Sequence, residues 1–321
     1  MYDLIIIGGG PAGTAAAVYA GRKRMKTLFI TESFGGQSLV SDSIENWIGV
    51  KKMTGFDLAK MLEEHIRAQE GVEIKMPEKV TAVRENNSGF NVLTDKGNNY
   101  QAKTIIVTSG GRRRRLSIPG EDKFDGKGVS YCSTCDAPVF KDKIVAVVGG
   151  GNAGLEAVID LVSYATKVYL INRGTEFSGD PLTQEEVRKS DKVNIINNAE
   201  VQEIVGEKFV NSLKYLDKQD NQIKELSLDG VFVEIGSVPN SEFMKGLVAM
   251  NSGEEIMIDH KTGATSRSGI FAAGDVTDEI YKQNNISAGD GVAAALSAYN
   301  YLLNIDKRSP AFVEATVGKI A

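Results

Sequence analysis

The chain has 321 residues, of which 42% are hydrophobic and 25% charged, and its formal net charge is −5. These values exclude a disordered, collagen-like or disulfide-dense protein, and the length predicts two domains of about 150 residues each. Because acidic and basic residues are interspersed, neither nucleic acid nor a membrane is expected as the main partner. No apolar run approaches the roughly 18 residues of a membrane span and no secretory signal precedes the first strand, so we expect a cytoplasmic protein.

The first predicted element is an apolar strand at residues 4–7, which opens onto a glycine-rich turn at residues 8–13 and a helix at residues 14–22. The turn has the spacing Gly-x-Gly-x-x-Gly. Its glycines permit a tight turn, a close approach of the backbone to a pyrophosphate, and close packing of helix on strand. A second strand, Thr27–Ile30, is followed by Glu32, which could bind the 2′-hydroxyl of an adenosine ribose or be an ordinary exposed acid.

The next segment alternates short apolar runs with turn residues and predicts antiparallel β-strands. The predicted strands are Val72–Lys75 and residues 80–85, 90–94 and 100–107. Four consecutive arginines follow at residues 112–115, where the chain is expected to cross between domains. These arginines could form a solvated linker or bind an acidic redoxin.

The two cysteines of the chain, Cys132 and Cys135, are separated by two residues. In a cytosolic protein this spacing is typical of a redox-active pair, because one turn of chain brings the two sulfurs together. The alternatives are a zinc site, for which the two histidines are far away in sequence, and two inert buried thiols. Asp136 follows directly, and its carboxyl group could act as acid or base for a departing thiolate, or cap a helix.

The glycine-rich pattern then occurs a second time. An apolar strand, Ile144–Val148, opens onto a turn at residues 149–154, and a predicted helix at residues 155–164 leads to the strand Lys167–Ile171. Two such units predict two nucleotide-binding domains. At the end of the last strand, Arg173 could contact a 2′-phosphate or be a solvated surface charge.

The remainder of the chain repeats the β-rich segment and ends in a helix. Further strands are predicted at Val193–Ile196, at Val210–Asp217 and at residues 200–205, 222–228, 230–236 and 255–259. A strand and turn at residues 269–275 precede a long helix at about residues 288–303. The predicted fold class is therefore α/β, with two doubly wound (Rossmann-like) nucleotide-binding domains that each carry an added antiparallel β segment.

Taken in order, these motifs resemble those of the low-molecular-weight bacterial thioredoxin reductases and of the reductase portion of the alkyl hydroperoxide reductase flavoprotein. The resemblance covers nearly the whole chain. The segments that carry it are residues 8–13, 35–37, 45–47, 118–121, 132–136, 149–154, 156–157, 231–236, 239–240, 269–275 and 281–283.

The resemblance implies an FAD-binding domain formed by residues 1–113 and 247–321, an NAD(P)H-binding domain at residues 114–246 that carries the redox-active cysteines, and a homodimer. The implied FAD contacts are Gly8, Gly10, Pro11, Ala12, Gly13, Glu32, Gly36, Gln37, Asn46, Ser109, Gly110, Gly274, Asp275, Lys282 and Gln283. The implied NAD(P)H contacts are Gly149, Gly151, Asn152, Ala153, Gly154, Asn172 and Arg173. No metal site is expected.

By the same resemblance, Cys135 is the sulfur that faces the flavin, Cys132 attacks the disulfide of the substrate, and Asp136 is the acid/base. Electrons are expected to pass from NAD(P)H through FAD and the cysteine pair to a separate thioredoxin-like or glutaredoxin-like protein, as in a thioredoxin-disulfide reductase. Because one domain carries both the second glycine-rich turn and the cysteines, we expect hinge motion near residues 110–116 and 239–246 during turnover.

The donor and the acceptor remain open at this point. Thioredoxin reductases usually carry a His-Arg-Arg…Arg cluster for the 2′-phosphate, whereas this chain has Asn172 and a single Arg173 there. That difference, together with Gly154 at the third glycine position, favours NADH or a relaxed preference. The alternative function is a flavoprotein of the same fold that takes electrons from ferredoxin or another donor, or that serves a peroxiredoxin system through a separate redoxin.

Overall fold

The computed structural model describes residues 1–41 and 44–307, and the chain divides into two compact units. Unit 1 consists of Met1–Arg112 and the chain from Val238 onward, and unit 2 consists of Arg113–Ser237. The second crossing therefore lies after Ser237, not after residue 246 as expected from the sequence. Residues 238–246 belong to unit 1 because Met244 is fully buried in a core of that unit.

The secondary-structure elements are numbered in chain order. The strands are β1 (Tyr2–Ile7), β2 (Thr27–Ile30), β3 (Val72–Lys75), β4 (Val80–Asn86), β5 (Gly89–Thr94), β6 (Asn99–Val107), β7 (Gly111–Arg113), β8 (Val129–Ser130), β9 (Ile144–Val148), β10 (Lys167–Ile171), β11 (Val193–Ile196), β12 (Ala199–Gly206), β13 (Val210–Asp217), β14 (Gln222–Ser227), β15 (Gly230–Val233), β16 (Ser237–Pro239), β17 (Ile258–Asp259), β18 (Ala264–Thr265) and β19 (Ile270–Ala272). The helices are α1 (Pro11–Arg22), α2 (Gly55–Arg67), α3 (Ser133–Asp136), α4 (Asn152–Val162), α5 (Pro181–Lys189) and α6 (Asn284–Lys307). Short 3₁₀ helices lie at Gly36–Val40, Ala137–Phe140, Glu242–Met244 and Gly274–Val276. None of the helices in the described part of the chain is long and apolar enough to span a bilayer.

The main sheet of unit 1 has the strand order β17-β18-β19-β6-β1-β2-β3, in which the strands from β19 to β3 are parallel. The strands β4 and β5 form an antiparallel hairpin, and β5 pairs with β6. Ile7 at the end of β1 is in register with Ile30 of β2 and with Val107 of β6. The carboxyl ends of these three strands therefore lie side by side, next to the first glycine-rich turn.

Small side chains bring helices α1 and α6 of unit 1 close together. Ala16 of α1 and Ala298 of α6 are completely buried in the same core. Gly291 of α6 is required by this approach, because a Cβ atom there would lie 2.1 Å from the carbonyl oxygen of Ala12. The packing fixes the first turn of α1, which includes the last residues of the glycine-rich turn.

The sheet of unit 2 has the order β11-β10-β9-β15-β8, and all of its neighbouring strands are parallel. A separate antiparallel sheet is formed by β12, β13 and β14. The predicted α/β class with Rossmann-like parallel cores is thus confirmed.

Two strands differ in direction from the sequence prediction. Val72–Lys75 and Val193–Ile196 are predicted as antiparallel, whereas β3 pairs in parallel with β2 and β11 pairs in parallel with β10. Each is preceded by a helix, α2 and α5 respectively, and a strand–helix–strand connection returns the chain in the same direction.

Several helices also begin earlier than predicted. Helix α1 begins at Pro11 and not at residue 14, because proline suits the first turn of a helix, where its missing N–H has no partner to lose. Helix α4 begins at Asn152 and not at residue 155. Both helices therefore start inside the glycine-rich turn, so that their N-termini belong to the turn itself.

Candidate functional site

Cys132 and Cys135 form a disulfide in unit 2, with their Cα atoms 5.3 Å apart. The pair follows β8 directly, and the short helix α3 begins at Ser133. The backbone N–H of Cys132 donates to Ser130 Oγ at 3.2 Å, and Ser130 Oγ donates to Asp136 Oδ2 at 2.6 Å. A single hydroxyl therefore connects the first cysteine to the carboxylate predicted as acid/base.

The side chain of Asp136 makes no helix-capping hydrogen bond. It is the last residue of α3, whose N-cap position is occupied by Cys132. It also makes no side-chain capping hydrogen bond to the 3₁₀ helix Ala137–Phe140 that follows. The capping alternative is therefore wrong, and the carboxylate accepts its hydrogen bond from Ser130 beside the disulfide.

Two further carboxylates lie close to the cysteine loop, and the sequence prediction missed both. Asp160 of α4 accepts hydrogen bonds from Ser133 Oγ at 2.8 Å and from Thr134 Oγ1 at 3.3 Å. Glu234 follows β15 and is only 8% exposed, and burial raises its pKa to about 7. Neither residue was assigned a role from the sequence, because strand pairing and helix packing, not local spacing, bring them to the disulfide.

The second glycine-rich turn combines packing positions with one open position. A Cβ atom at Gly149 would lie 2.2 Å from the carbonyl oxygen of Glu234, and one at Gly154 would lie 2.0 Å from the carbonyl oxygen of Gly149. At Gly151 the nearest neighbour of a Cβ atom would be Ser178 Oγ, at 3.7 Å. The middle glycine thus keeps the backbone at the start of α4 accessible, where a pyrophosphate is expected to bind.

The other predicted NAD(P)H contacts near this turn are exposed. Asn152 and Ala153 are exposed in the first turn of α4, and Asn152 Oδ1 accepts the backbone N–H of Asp180 at 2.7 Å. Arg173, after β10, is also exposed. These residues are accessible to a nucleotide.

Asn172, by contrast, is buried and has a structural role. Its side-chain amide donates to the carbonyl oxygens of Gly174 and Glu176 and to Asn197 Oδ1, each at 3.1 Å. The N–H groups of Asn172 are therefore engaged in shaping the loop after β10, and they are not directed to a nucleotide.

Unit 1 contains a cavity of about 900 Å³ at the carboxyl ends of β1, β2 and β6. This volume lies in the range of pockets that hold cofactor-sized molecules. The predicted FAD contacts that line it are Gly8, Gly10, Pro11, Ala12, Glu32, Gly36, Gln37, Ser109, Gly110 and Asp275. Among the described residues predicted to contact FAD, those that lie outside this lining are Gly13, Asn46, Gly274, Lys282 and Gln283.

As in the second turn, some glycines of the first glycine-rich turn are required by packing and the middle glycine is open. A Cβ atom at Gly13 would lie 2.0 Å from the carbonyl oxygen of Gly8, so the third glycine is required by packing within the protein. A Cβ atom at Gly10 would have as its nearest neighbour the Cα atom of Gly36, 4.0 Å away. No internal contact requires a glycine at position 10, and the open space beside it is the cavity.

Polar side chains from distant parts of the chain meet at the cavity wall. Gln37 Nε2 donates to Asp275 Oδ2 at 3.1 Å, and Ser287 Oγ donates to Asp275 Oδ1 at 3.2 Å. Asn46 Nδ2 donates to Gln283 Oε1 at 3.3 Å, outside the lining. Asp275 is thus held by two donors at the wall, while Asn46 and Gln283 hold each other.

Three other predicted contacts have partners within the chain. Lys282 forms an ion pair with Glu255 at 3.0 Å, so its ammonium group is engaged outside the cavity lining. Glu32 lies 3.5 Å from the ammonium group of Lys79, and both residues line the cavity. Ser109 Oγ donates to the carbonyl oxygen of Asn240 at 2.6 Å. Asn240 and Lys79 line the cavity but are not among the FAD contacts expected from the sequence, although Asn240 belongs to a segment that carries the family resemblance.

The outer two of the four consecutive arginines have acidic partners within their own units. Arg112 donates to Glu242 at 2.6 Å. Arg115 donates to Asp122 and to Asp125, each at 2.6 Å. Of the two central arginines, Arg113 is half-buried and Arg114 is exposed, so Arg114 is the candidate that remains for redoxin binding.

Comparison with known proteins identifies the family. A family model described as pyridine nucleotide-disulphide oxidoreductase matches residues 2–291. The chain belongs to the pyridine nucleotide-disulphide oxidoreductase family. Within this family it is similar to the thioredoxin reductase of Streptococcus pyogenes MGAS5005, with 34% identity and a TM-score of 0.88 over 95% of this chain and 99% of that one. The resemblance inferred from the sequence motifs is confirmed.

Curated relatives in the family carry other names. The chain is 42% identical over 302 residues to the "NADH dehydrogenase" of Bacillus subtilis (strain 168). The aligned region covers 94% of this chain and 59% of the Bacillus subtilis protein. It is also 42% identical over 305 residues to an alkyl hydroperoxide reductase component of Pseudomonas putida. This aligned region covers 94% of this chain and 58% of the Pseudomonas putida protein. The chain thus spans about six tenths of the length of these relatives. Its fold is that of the thioredoxin reductases.

Proposed function

We propose that the protein passes two electrons from NAD(P)H, by way of FAD bound in unit 1, to the Cys132–Cys135 disulfide and on to the disulfide of a separate thioredoxin-like or glutaredoxin-like protein. One observation carries the proposal: the disulfide follows β8, the second glycine-rich turn follows β9, and both strands pair in parallel with β15. Parallel neighbours bring their carboxyl ends to one edge of a sheet, so a nucleotide turn and a reducible disulfide share that edge.

The cavity of unit 1 supports FAD as the bound group. The open position at Gly10, beside the N-terminus of α1, suits a pyrophosphate, and Glu32 suits a ribose hydroxyl. Asp275, held by Gln37, can accept hydrogen bonds from the hydroxyls of the ribityl chain. When bound, FAD supplies a group that accepts a hydride and donates two electrons to a disulfide.

The residues of unit 2 support the disulfide step. Cys132, as a thiolate, attacks the disulfide of the redoxin and forms a mixed disulfide, and Cys135 then attacks Cys132 and releases the reduced redoxin. Asp136 lies one hydrogen bond from Ser130, which in turn accepts the N–H of Cys132. It can therefore take the proton of the attacking thiol and return it to the departing one.

For the donor we propose NADH or a relaxed preference between NADH and NADPH. Arg173 is the one basic residue in the loop at residues 172–178, and the amide of Asn172 is engaged within that loop. A 2′-phosphate is bound most strongly by several cationic donors, so a single exposed arginine offers little discrimination. The name of the Bacillus subtilis relative agrees with this preference.

Two structural proposals accompany the function. The first concerns motion. The cysteines and the second glycine-rich turn both belong to unit 2, and each must reach the FAD of unit 1 in turn. The units therefore change position during turnover, with the hinges at the two chain crossings. The homodimer implied by the family resemblance is the second, and light scattering of the purified protein tests it. A second candidate function, service of a peroxiredoxin through a separate redoxin, is favoured by the likeness to the alkyl hydroperoxide reductase component of Pseudomonas putida.

The decisive experiment is an anaerobic titration of the purified protein with NADH and, separately, with NADPH, in which bleaching of the flavin absorbance is followed. Rapid bleaching by NADH supports the proposal. Bleaching by neither nucleotide would instead favour the ferredoxin-linked alternative. A protein that is colourless and takes up no FAD contradicts the proposed function altogether. The acceptor is then identified by turnover with thioredoxin, glutaredoxin and peroxiredoxin disulfides.

A further inference from the structure

Glu234 lies where the cysteine loop and the second glycine-rich turn come together. Its backbone N–H donates to the carbonyl oxygen of Val148 at 2.9 Å, next to the glycine-rich turn. Its side chain is buried. Phe232 of β15 is in register with Ser130 of β8, so Glu234 and Cys132 each lie two residues further along neighbouring parallel chain segments. The proposed function uses Asp136 as acid/base and leaves this buried carboxyl group without a role.

Charged groups face Glu234 from three other elements of unit 2. Asp160 of α4 and Asp136 of α3 are negative, and Arg113 of β7 is positive. Burial raises the pKa of Glu234 most strongly and the two aspartates add to it, whereas Arg113 and the N–H of Ser133 oppose it, and the result is a pKa of about 7. A thiolate formed at the neighbouring disulfide would add a further negative charge and would raise that pKa again.

We propose that Glu234 is the redox-linked proton acceptor of the cysteine pair: when the Cys132–Cys135 disulfide is reduced, Glu234 takes up a proton and keeps it beside the new thiolate. This inference rests on the proposed redox function of the disulfide and adds a second proton-carrying group to it. Asp136 exchanges a proton with the attacking and departing thiols, whereas the enclosed Glu234 compensates the charge of the reduced pair.

Electrons, atoms and charge balance in this scheme. Two electrons from the reductant, which is reduced flavin in the proposed cycle and dithiothreitol in the experiment, break the sulfur–sulfur bond. One sulfur takes a proton from water and becomes a thiol, and the other remains a thiolate. A second proton from water neutralises the carboxylate of Glu234, so the net charge of the site does not change on reduction. Reoxidation of the pair by the redoxin disulfide releases that proton.

The experiment measures the equilibrium constant for reduction of the disulfide by dithiothreitol, with acid quenching and counting of protein thiols, in the wild-type protein and in Glu234→Gln. At about pH 5.5 Glu234 is protonated in both redox states, and the two proteins should have similar constants. Towards about pH 8.5 the variant should become easier to reduce than wild type, by about tenfold for each unit by which reduction raises the pKa of Glu234. A variant-to-wild-type ratio that stays constant over this range overturns the proposal.

Two further variants keep the test decisive. Glu207→Gln removes an exposed carboxylate in the turn between β12 and β13 and should follow wild type at every pH. Asp160→Asn keeps Glu234 but removes a neighbouring negative charge that raises the pKa of Glu234. In this variant the equilibrium constant for reduction should therefore begin to change at a lower pH than in wild type. An unmoved transition in Asp160→Asn contradicts the proposal even if Glu234→Gln fails to fold. The thiol assay uses dithiothreitol and no NADH or NADPH. Its result can therefore be interpreted even if neither nucleotide bleaches the flavin.

Discussion

Gln37 and Asp275 are hydrogen-bonded at 3.1 Å although 238 positions separate them in sequence. Gln37 lies in the 3₁₀ helix after β2, and Asp275 lies in the 3₁₀ helix before α6. Both side chains line the cavity of unit 1. The chain therefore has to return from unit 2 to complete the wall of this cavity, which explains why unit 1 is discontinuous.

Replacement of Asp275 by alanine is expected to weaken flavin retention by about tenfold or more, because the loss of a hydrogen-bonded charge costs about 1.5–3 kcal/mol. The measurement is the flavin-to-protein ratio after gel filtration, together with the dissociation constant for added FAD. Glu70→Ala, which removes an exposed acid of the same unit, is the matched control. Equal retention by the two variants would show that Asp275 does not hold the flavin.

Replacement of either cysteine by serine is expected to abolish turnover with a disulfide-containing redoxin, because serine at position 132 cannot form the mixed disulfide and serine at position 135 cannot resolve it. NADH-dependent reduction of ferricyanide should persist in both variants, since it needs only the flavin and the nicotinamide site. Parallel assays with the two acceptors separate these activities. Retention of redoxin turnover by Cys132→Ser would show that the interchange role is assigned wrongly.

Asn172→Ala is expected to destabilise unit 2 by about 1–3 kcal/mol, because it removes the hydrogen bonds that a buried amide makes to the loop after β10. Asn172 donates to Gly174 and Glu176, and its own side chain is only 6% exposed. Urea denaturation measures the loss. Arg173→Ala, at the exposed neighbouring position, should leave stability nearly unchanged, and an equal loss in both variants would refute the structural role of Asn172.

The raised pKa of Glu234 makes stability depend on pH in a definite direction. Its pKa is about 7 in the folded protein against an ordinary value of 4.5, so between these values the folded protein holds a proton that the unfolded chain has lost. Stability from this group is therefore present at low pH and falls as the pH rises through this window, by about 3 kcal/mol in total. Relative to wild type, Glu234→Gln should gain thermal stability between about pH 5 and pH 8, whereas Glu207→Gln should not. A pH-independent difference contradicts the shift.

Binding of an acidic redoxin by Arg114 predicts a selective effect of salt. Raising the ionic strength should increase KM for the redoxin and leave KM for NADH nearly constant, because screening weakens contacts between exposed charges. Arg114→Ala should reduce this salt dependence. Arg115→Ala should instead change stability by up to about 1 kcal/mol, because Arg115 is paired with Asp122 and Asp125. Equal salt effects on both substrates would exclude the docking role.

The sequence by itself was enough to predict the fold class, both glycine-rich turns and the cysteine pair. The physical reason is that each of these is a local feature. An apolar run bounded by turn residues predicts a strand, which is why Thr27–Ile30 and Lys167–Ile171 were predicted with the bounds they have. Likewise, the glycine spacing and the two-residue separation of the cysteines specify local geometry directly.

Only the tertiary structure decided which residues surround the disulfide and the cavity. Asp160 reaches Ser133 through the packing of α4, and Glu234 comes beside the cysteine loop because β15 lies between β8 and β9. The direction of β3 and the position of the second chain crossing were likewise set by packing. Contacts of this kind join residues that are far apart in sequence, and since no local periodicity records them, they could not be predicted from the order of the amino acids alone.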